Sequence, residues 1–194
     1  MLAAVILSGG ASIRMGSPKA LLPYQGRPFL EHLLEVISQP EIGVRRVVLG
    51  AHAEPIEKAV RLNPDEVVIN PDWAKGQLTS IQAAVRSLPA GTDGMLLCLI
   101  DHPLISAVLV QDLIQQFYNT KKAIILPVFR GRRGHPVIFS AALYDELMRA
   151  PLETGARAVV WAHEAEVEQV QTNEEGCVLN INDPNALKKV VSGS

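Results

Sequence analysis

The sequence contains no apolar run approaching the ~18 residues that a membrane-spanning helix needs. Its opening stretch, residues 1–7, is apolar but short and has no basic residues ahead of it, so it makes a poor secretory signal. Only two cysteines occur, Cys98 and Cys177, each set among aliphatic neighbours and far from the other. They argue against a disulfide framework or a thiolate metal site and suit packed thiols in a reducing compartment. Neither sign of charge prevails, the formal net charge being -2 over 194 residues. Such a chain has no bulk attraction for nucleic acid or acidic membranes, and any polyanionic ligand must be held by a local basic site. Internal repeats, low-complexity tracts and linkers are also missing. What remains is the expectation of a cytoplasmic protein folded as one domain over 1–194, with 48% hydrophobic residues to build its core.

Short β-branched or aliphatic runs alternate with longer amphipathic ones. Strands are expected at 2–7, 45–49, 66–69, 95–100, 123–127 and 136–139, with weaker ones at 167–170 and 177–180. Helices are expected at 28–37, 55–61, 79–88, 106–118, 141–149, 155–163 and 184–191. This alternation predicts an α/β fold of three layers, a mostly parallel sheet with helices on both faces. The stretch RGRRGHP, with Gly131 and Gly134, reads as a turn between antiparallel strands and makes the sheet mixed. Ligands of such sheets bind beyond the carboxyl ends of the strands. The loops to read are therefore 8–19, 50–54, 70–80, 101–104 and 129–135.

The first of these, in LSGGASIRMGSPKALL, leaves a buried strand through paired glycines and then plants Arg14 and Lys19. It is not a P-loop: Gly16 is followed by Ser17 instead of lysine, and Ala20 replaces the metal-binding hydroxyl after Lys19. It is not a Rossmann fingerprint either, since the glycines are adjacent and Pro18 and Pro23 oppose an immediate long helix. A long, irregular, basic loop of this kind suits a triphosphate, with backbone N–H groups from Ser8 to Ser12 as donors and Arg14 and Lys19 as cations.

The stretch LSGGASIRMGSPKALLPYQGRPFLEHLLE resembles the signature of the MobA-like NTP transferases, nucleotidyltransferases of molybdenum cofactor maturation and their relatives. The resemblance continues at NPDWAKGQLTSIQAA, CLIDHPLI, RGRRGHPVIFS and GARAVV, and so covers nearly the whole chain. It implies a Rossmann-like nucleotidyltransferase fold of the nucleotide-diphospho-sugar transferase type. It implies nucleotide binding by Leu7, Ser8, Gly9, Gly10, Ser12 and Lys19, with Asn70, Gly76, Thr79 and Ser80 cradling base and ribose. Arg14, Lys19 and Asp101 are the catalytic residues it implies. Asp101, at the end of the apolar run LLCLI, would hold Mg²⁺ together with Asn182 from the late loop NINDP, where Asp183 departs from the family pattern. Arg133, Gly134 and His135 fall on the acceptor side, where a phosphorylated pterin would dock. His102 is given no metal role, and Trp73 is read as local packing.

No nucleophile–base arrangement of the Ser-His-Asp or Cys-His type emerges. A phosphate monoester acceptor needs none, because its second pKa of ~6 leaves it charged at neutral pH. The leading expectation is a Mg²⁺-dependent transfer of a nucleotide from an NTP to molybdopterin, with release of pyrophosphate. The pair Gly9-Gly10 resembles the guanine-using branch, whereas residues 70–80, 134–136 and 155–157 resemble the cytidine branch over more of the chain, so CMP is favoured over GMP. Two alternatives stand beside it: another phosphorylated acceptor such as a sugar phosphate, and a non-catalytic carrier that delivers cofactor to a molybdoenzyme.

Overall fold

The structure, a computed structural model, describes residues 1–12, 15–183 and 186. In chain order its elements are β1 (Leu2–Ser8), β2 (Pro23–Tyr24), β3 (Arg27–Pro28), α1 (Phe29–Val36), β4 (Ile42–Leu49), α2 (Ala53–Ala59) and β5 (Val67–Ile69). There follow α3 (Gln77–Ser87), β6 (Gly94–Leu99), α4 (Ala107–Thr120), β7 (Ile124–Phe129), β8 (Arg132–Arg133), β9 (Val137–Ser140), α5 (Tyr144–Arg149), α6 (Arg157–Ala162) and β10 (Val167–Gln171).

The main sheet runs β10-β7-β9-β6-β1-β4-β5, with β8 added to β7. β1 pairs in parallel with β4 and with β6, β4 with β5, and β10 with β7. β9 runs antiparallel to both neighbours, as the Gly-rich turn predicts. Successive residues of β1 feed opposite faces: Leu2, Ala4 and Ile6 join the core under α1, α2 and α4, while Val5 and Leu7 join the one under α3, α5 and α6. Strands buried on both faces read as continuous apolar runs, which is why LAAVIL and MLLCL show no alternation.

Three expectations need correction, and one element was unforeseen. Residues 177–180 are not a strand. Gly176 passes so close to the Leu104 carbonyl that a Cβ would lie 2.3 Å from it, and the backbone of 175–178 is spent on a turn, Val178 N–H donating to Glu175 O at 3.0 Å. The helix expected at 141–149 opens as a 3-10 turn, Ala141–Leu143, because the Ser140 hydroxyl caps Ala142 N–H. The helix at 155–163 starts later, at Arg157, since Gly155 takes φ +68°. A small hairpin, β2–β3, was not anticipated, although Gln25 and Gly26 adopt the two positive φ angles of a tight hairpin turn. The expected helix 184–191 lies outside the described residues. Among those described, no helix is long and apolar enough to cross a membrane.

Candidate functional site

The chain departs from β1 to β4 on one side and returns to β6 on the other, so the strand order reverses at the β1–β6 boundary. Such a switch point opens a crevice beyond the carboxyl ends of the strands. A cavity of about 350 Å³ lies there, walled by the loop after β1 (Ser8 to Ser12), by Lys19, by His52 and Ile56, by Trp73, Gly76, Gln77 and Ser80, and by Asp101 after β6. Of the residues expected to bind nucleotide, Leu7, Ser8, Gly9, Gly10, Ser12, Lys19, Gly76 and Ser80 line it. Arg14 lies outside the described residues.

Glycine at 9 and 50 is dictated by packing. A Cβ on Gly9 would lie 2.9 Å from Ser80 Oγ, and one on Gly50 would lie 2.4 Å from Gly9 O and 2.7 Å from Trp73 Cβ. The loops after β1 and β4 therefore touch, and Trp73 packs over their junction while also facing the cavity. Gly10 differs, because nothing lies within 4 Å of its missing Cβ. Gly76 takes φ +114°, a conformation that a side chain would strain.

Asn70 and Thr79 stand behind the wall. The buried Asn70 amide donates to Thr79 Oγ1 and Ser80 Oγ, each at 2.9 Å, and its oxygen accepts from Asp72 N–H at 3.0 Å. Thr79 spends its own proton on backbone oxygens of Asp72 and Gly76, at 3.0 and 2.8 Å. Ser80 accepts from Asn70, which leaves its hydroxyl proton to point elsewhere, and Ser80 alone of the three lines the cavity. Thus Asn70 and Thr79 shape the loop and Ser80 faces the cavity.

Lys19, Asp101 and Asn182 converge. Pro18 leads into a 3-10 turn, Lys19–Leu21, whose first N–H donates to Ser12 Oγ at 3.3 Å. From there the Lys19 ammonium reaches Asp101 Oδ2 at 3.5 Å and also donates to Asn182 Oδ1. Asn182 is delivered by Ile181 N–H, which donates to the Asp101 carbonyl at 2.7 Å. The two oxygens expected to hold a metal therefore already meet one cationic centre. Among the described residues no cluster of three or more His, Cys, Asp or Glu side chains could cage a metal. This donor set fits a hard ion such as Mg²⁺, which takes one or two carboxylates and completes its shell with phosphates and water.

The residues expected on the acceptor side, Arg133, Gly134 and His135, do not line this cavity. Arg133 spends its guanidinium on Glu164, with Nη1 3.0 Å from Oε2, on the exposed side of the turn. Gly134 has no room for a side chain, since a Cβ would lie 2.4 Å from the Cys177 carbonyl, which also accepts from His135 N–H at 2.8 Å. The His135 ring stands 5.0 Å from that of His102, beside Asp101. Burial lowers the pKa of both rings, that of His135 to about 4 with help from His102, and Asp101 pulls in the opposite direction. Burial thus favours the neutral ring in each, and Nδ1 of each lacks a protein partner among the described residues.

The residues that sequence reasoning missed are His52 and Gln77. His52 lies three residues beyond the carboxyl end of β4, in a loop that the position rule selected, but no spacing distinguished it from other polar residues. Its ring touches the loop after β1, and only the fold brings the two together.

Residues 4–167 match the profile of the MobA-like NTP transferase domain. The chain is 31% identical over 147 residues to a nicotine blue oxidoreductase of Paenarthrobacter nicotinovorans, a span of 72% of this chain and 71% of that protein. It is 32% identical over 135 residues to a probable molybdenum cofactor guanylyltransferase of Bacillus cereus (strain ZK / E33L), a span of 68% of this chain and 64% of that protein. Rv0371c from Mycobacterium tuberculosis H37Rv superposes with a TM-score of 0.86 at 25% identity, covering 98% of this chain and 97% of that one. Its manganese complex gives 0.83 at 23% identity, covering 100% and 99%. With that profile matching over the greater part of its length, from β1 to the start of β10, the chain belongs to the MobA-like NTP transferase family.

Proposed function

We propose that this chain is a divalent-metal-dependent nucleotidyltransferase that moves GMP from GTP to the phosphate of molybdopterin. The observation that carries the reading is the meeting of Lys19, Asp101 and Asn182 at the rim of a glycine-walled cavity. An acceptor phosphate oxygen attacks the α-phosphorus of the NTP. The bond to the bridging oxygen breaks, and pyrophosphate leaves with its electron pair. The nucleophile is already ionised, so the protein has to align two anions and offset their repulsion. Lys19 and, from the sequence, Arg14 supply fixed positive charge. Gly9 and Gly10 let the backbone approach the phosphates, and Ser80 offers a hydroxyl to the nucleotide. Asp101 and Asn182 would hold Mg²⁺, which when bound neutralises phosphate charge. Delivery of the product to a molybdoenzyme belongs to the same reading.

The longer resemblance favours CTP. Relatives around 30% identical are named guanylyltransferases, and Gly9 is the glycine of that branch, so GTP is preferred here. The proof is pyrophosphate release measured with GTP and CTP, each with molybdopterin or a sugar phosphate as acceptor. Higher kcat/KM for GTP with molybdopterin is expected. A preference for CTP reverses the base, and a preference for the sugar phosphate reverses the acceptor. Tight NTP binding without pyrophosphate release means a carrier. Because one relative is named an oxidoreductase, NADPH oxidation belongs in the same assay, and turnover there without pyrophosphate release would replace the proposal.

A further inference from the structure

His52 occupies the N-cap of α2, yet its side chain makes no cap hydrogen bond. Instead, Nε2 lies 2.7 Å from the carbonyl oxygen of Ala11, in the loop after β1. A carbonyl only accepts, so Nε2 carries the proton and donates. One residue earlier, Ala51 N–H donates to Gly9 O at 3.1 Å. Alternate carbonyls of the glycine loop are thus tied to the loop after β4.

The C=O of a trans peptide and the N–H that follows it point in opposite directions. With the carbonyls of Gly9 and Ala11 turned toward residues 50–52, the N–H groups of Gly10 and Ser12 point away from them. Among the described residues neither N–H has a protein acceptor. Ser12 also has φ +50°, the left-handed region that a serine rarely occupies. Rotating the 11–12 peptide by about half a turn would relieve that conformation and exchange the outward N–H for a carbonyl oxygen. The His52 bond is what opposes the rotation.

We propose that His52 is a positioning residue which locks the 11–12 peptide so that Ser12 N–H is presented to the phosphates of the bound nucleotide. The inference rests on the reading of this cavity as an NTP site. His52 acts through its Nε2–H hydrogen bond to the Ala11 carbonyl and not on the reacting atoms.

Calorimetric titration of the full chain with GTP and, separately, with inorganic tripolyphosphate tests it, using wild type, His52→Ala and His52→Gln, with Tm recorded for each. Losing one net hydrogen bond, His52→Ala should weaken both ligands by about five- to tenfold. Tripolyphosphate should suffer as much as GTP, because the misplaced group faces phosphate. His52→Gln keeps an N–H donor without a titratable ring and should recover most of the loss. Affinities in His52→Ala within twofold of wild type would overturn the proposal. So would a glutamine variant as weak as alanine at unchanged Tm. Wild type that binds neither ligand would overturn the NTP-site reading itself, and the proposal with it.

Discussion

Replacing Lys19 with methionine should move two properties in opposite directions. The ammonium lies 3.5 Å from Asp101 Oδ2 and donates to Asn182 Oδ1, with the Lys19 and Asp101 side chains only 15% and 22% exposed. At an effective dielectric of 20, unit charges at this separation attract by roughly 5 kcal/mol before desolvation is counted. The net worth of a charged hydrogen bond is smaller, about 1.5–3 kcal/mol. If a divalent ion is held as proposed, it takes the same two oxygens from the ammonium, so removing the competitor should return that amount. Lys19→Met should therefore bind Mn²⁺ roughly 10- to 100-fold more tightly than wild type in the absence of nucleotide, at 1.4 kcal/mol per decade. Turnover should meanwhile fall by ~10²–10³, as when a transition-state donor is lost. The spectrum of free Mn²⁺, followed during titration of nucleotide-free protein, gives the affinity, and Asp101→Asn provides the control that should bind poorly. Unchanged or weaker Mn²⁺ binding by Lys19→Met, while Asp101→Asn still loses it, would show that ammonium and metal do not compete for these oxygens.

Two glycines of the site should respond differently to alanine. Gly50→Ala forces a Cβ against Gly9 O and Trp73, and should lower both Tm and NTP affinity, whereas Gly10→Ala meets only open space and should weaken NTP binding at wild-type Tm. Asn70→Leu strips two buried hydroxyls of their donor and should cost about 1–3 kcal/mol by urea unfolding, with Thr79 and Ser80 displaced. Stability should also depend on pH through His135. Its folded pKa of about 4 lies below the unfolded 6.5, so the unfolded chain binds more protons between these values and stability rises with pH across that window. Acidifying from pH 7 toward 4 should remove on the order of 2–3 kcal/mol, and His135→Gln should flatten the slope of Tm against pH. An equal slope in that variant would assign the acid sensitivity to other groups.

The sheet was legible because its strands are buried on both faces and bounded by loops of a different composition. LAAVIL and MLLCL could hardly be anything else once amphipathic runs alternated with them. The opening loop stood out because adjacent glycines are followed by spaced cations, and the structure sets Ser8 to Ser12 and Lys19 along the cavity. Family resemblance paired Asp101 with Asn182 as expected ligands of one metal, but that Lys19 meets both emerges only from the fold, because no local pattern brings residues 19 and 182 together. Other features were out of reach. The strand expected at 177–180 fails because Cys177 gives its carbonyl to His135 and Gly176 presses on Leu104, contacts that belong to distant parts of the chain. The sequence shows six polar residues in the middle loop, but only packing reveals that Asn70 and Thr79 stand behind the wall while Ser80 faces the cavity. Arg133, part of a basic cluster in the sequence, is bound by a glutamate that lies 31 positions further on.

The contact between Lys19 and Asn182 spans 163 positions, so the two halves of the site are separated in time as well as in sequence. During synthesis, β1, β4 and β6 can pair, and the cavity they edge can close, well before Asn182 leaves the ribosome. The segment that carries it then seats itself through Glu174, which accepts from the Ser106 hydroxyl at 2.6 Å, and through Cys177 and Ile181. A nascent or nicked chain cut ahead of residue 174 would retain the strands and the loop after β1 but lack the Asn182 oxygen beside Asp101. On the proposed reading such a chain would keep most of the cavity wall and lose the partner that Asp101 needs to hold a metal, so the late segment is the last to complete the site.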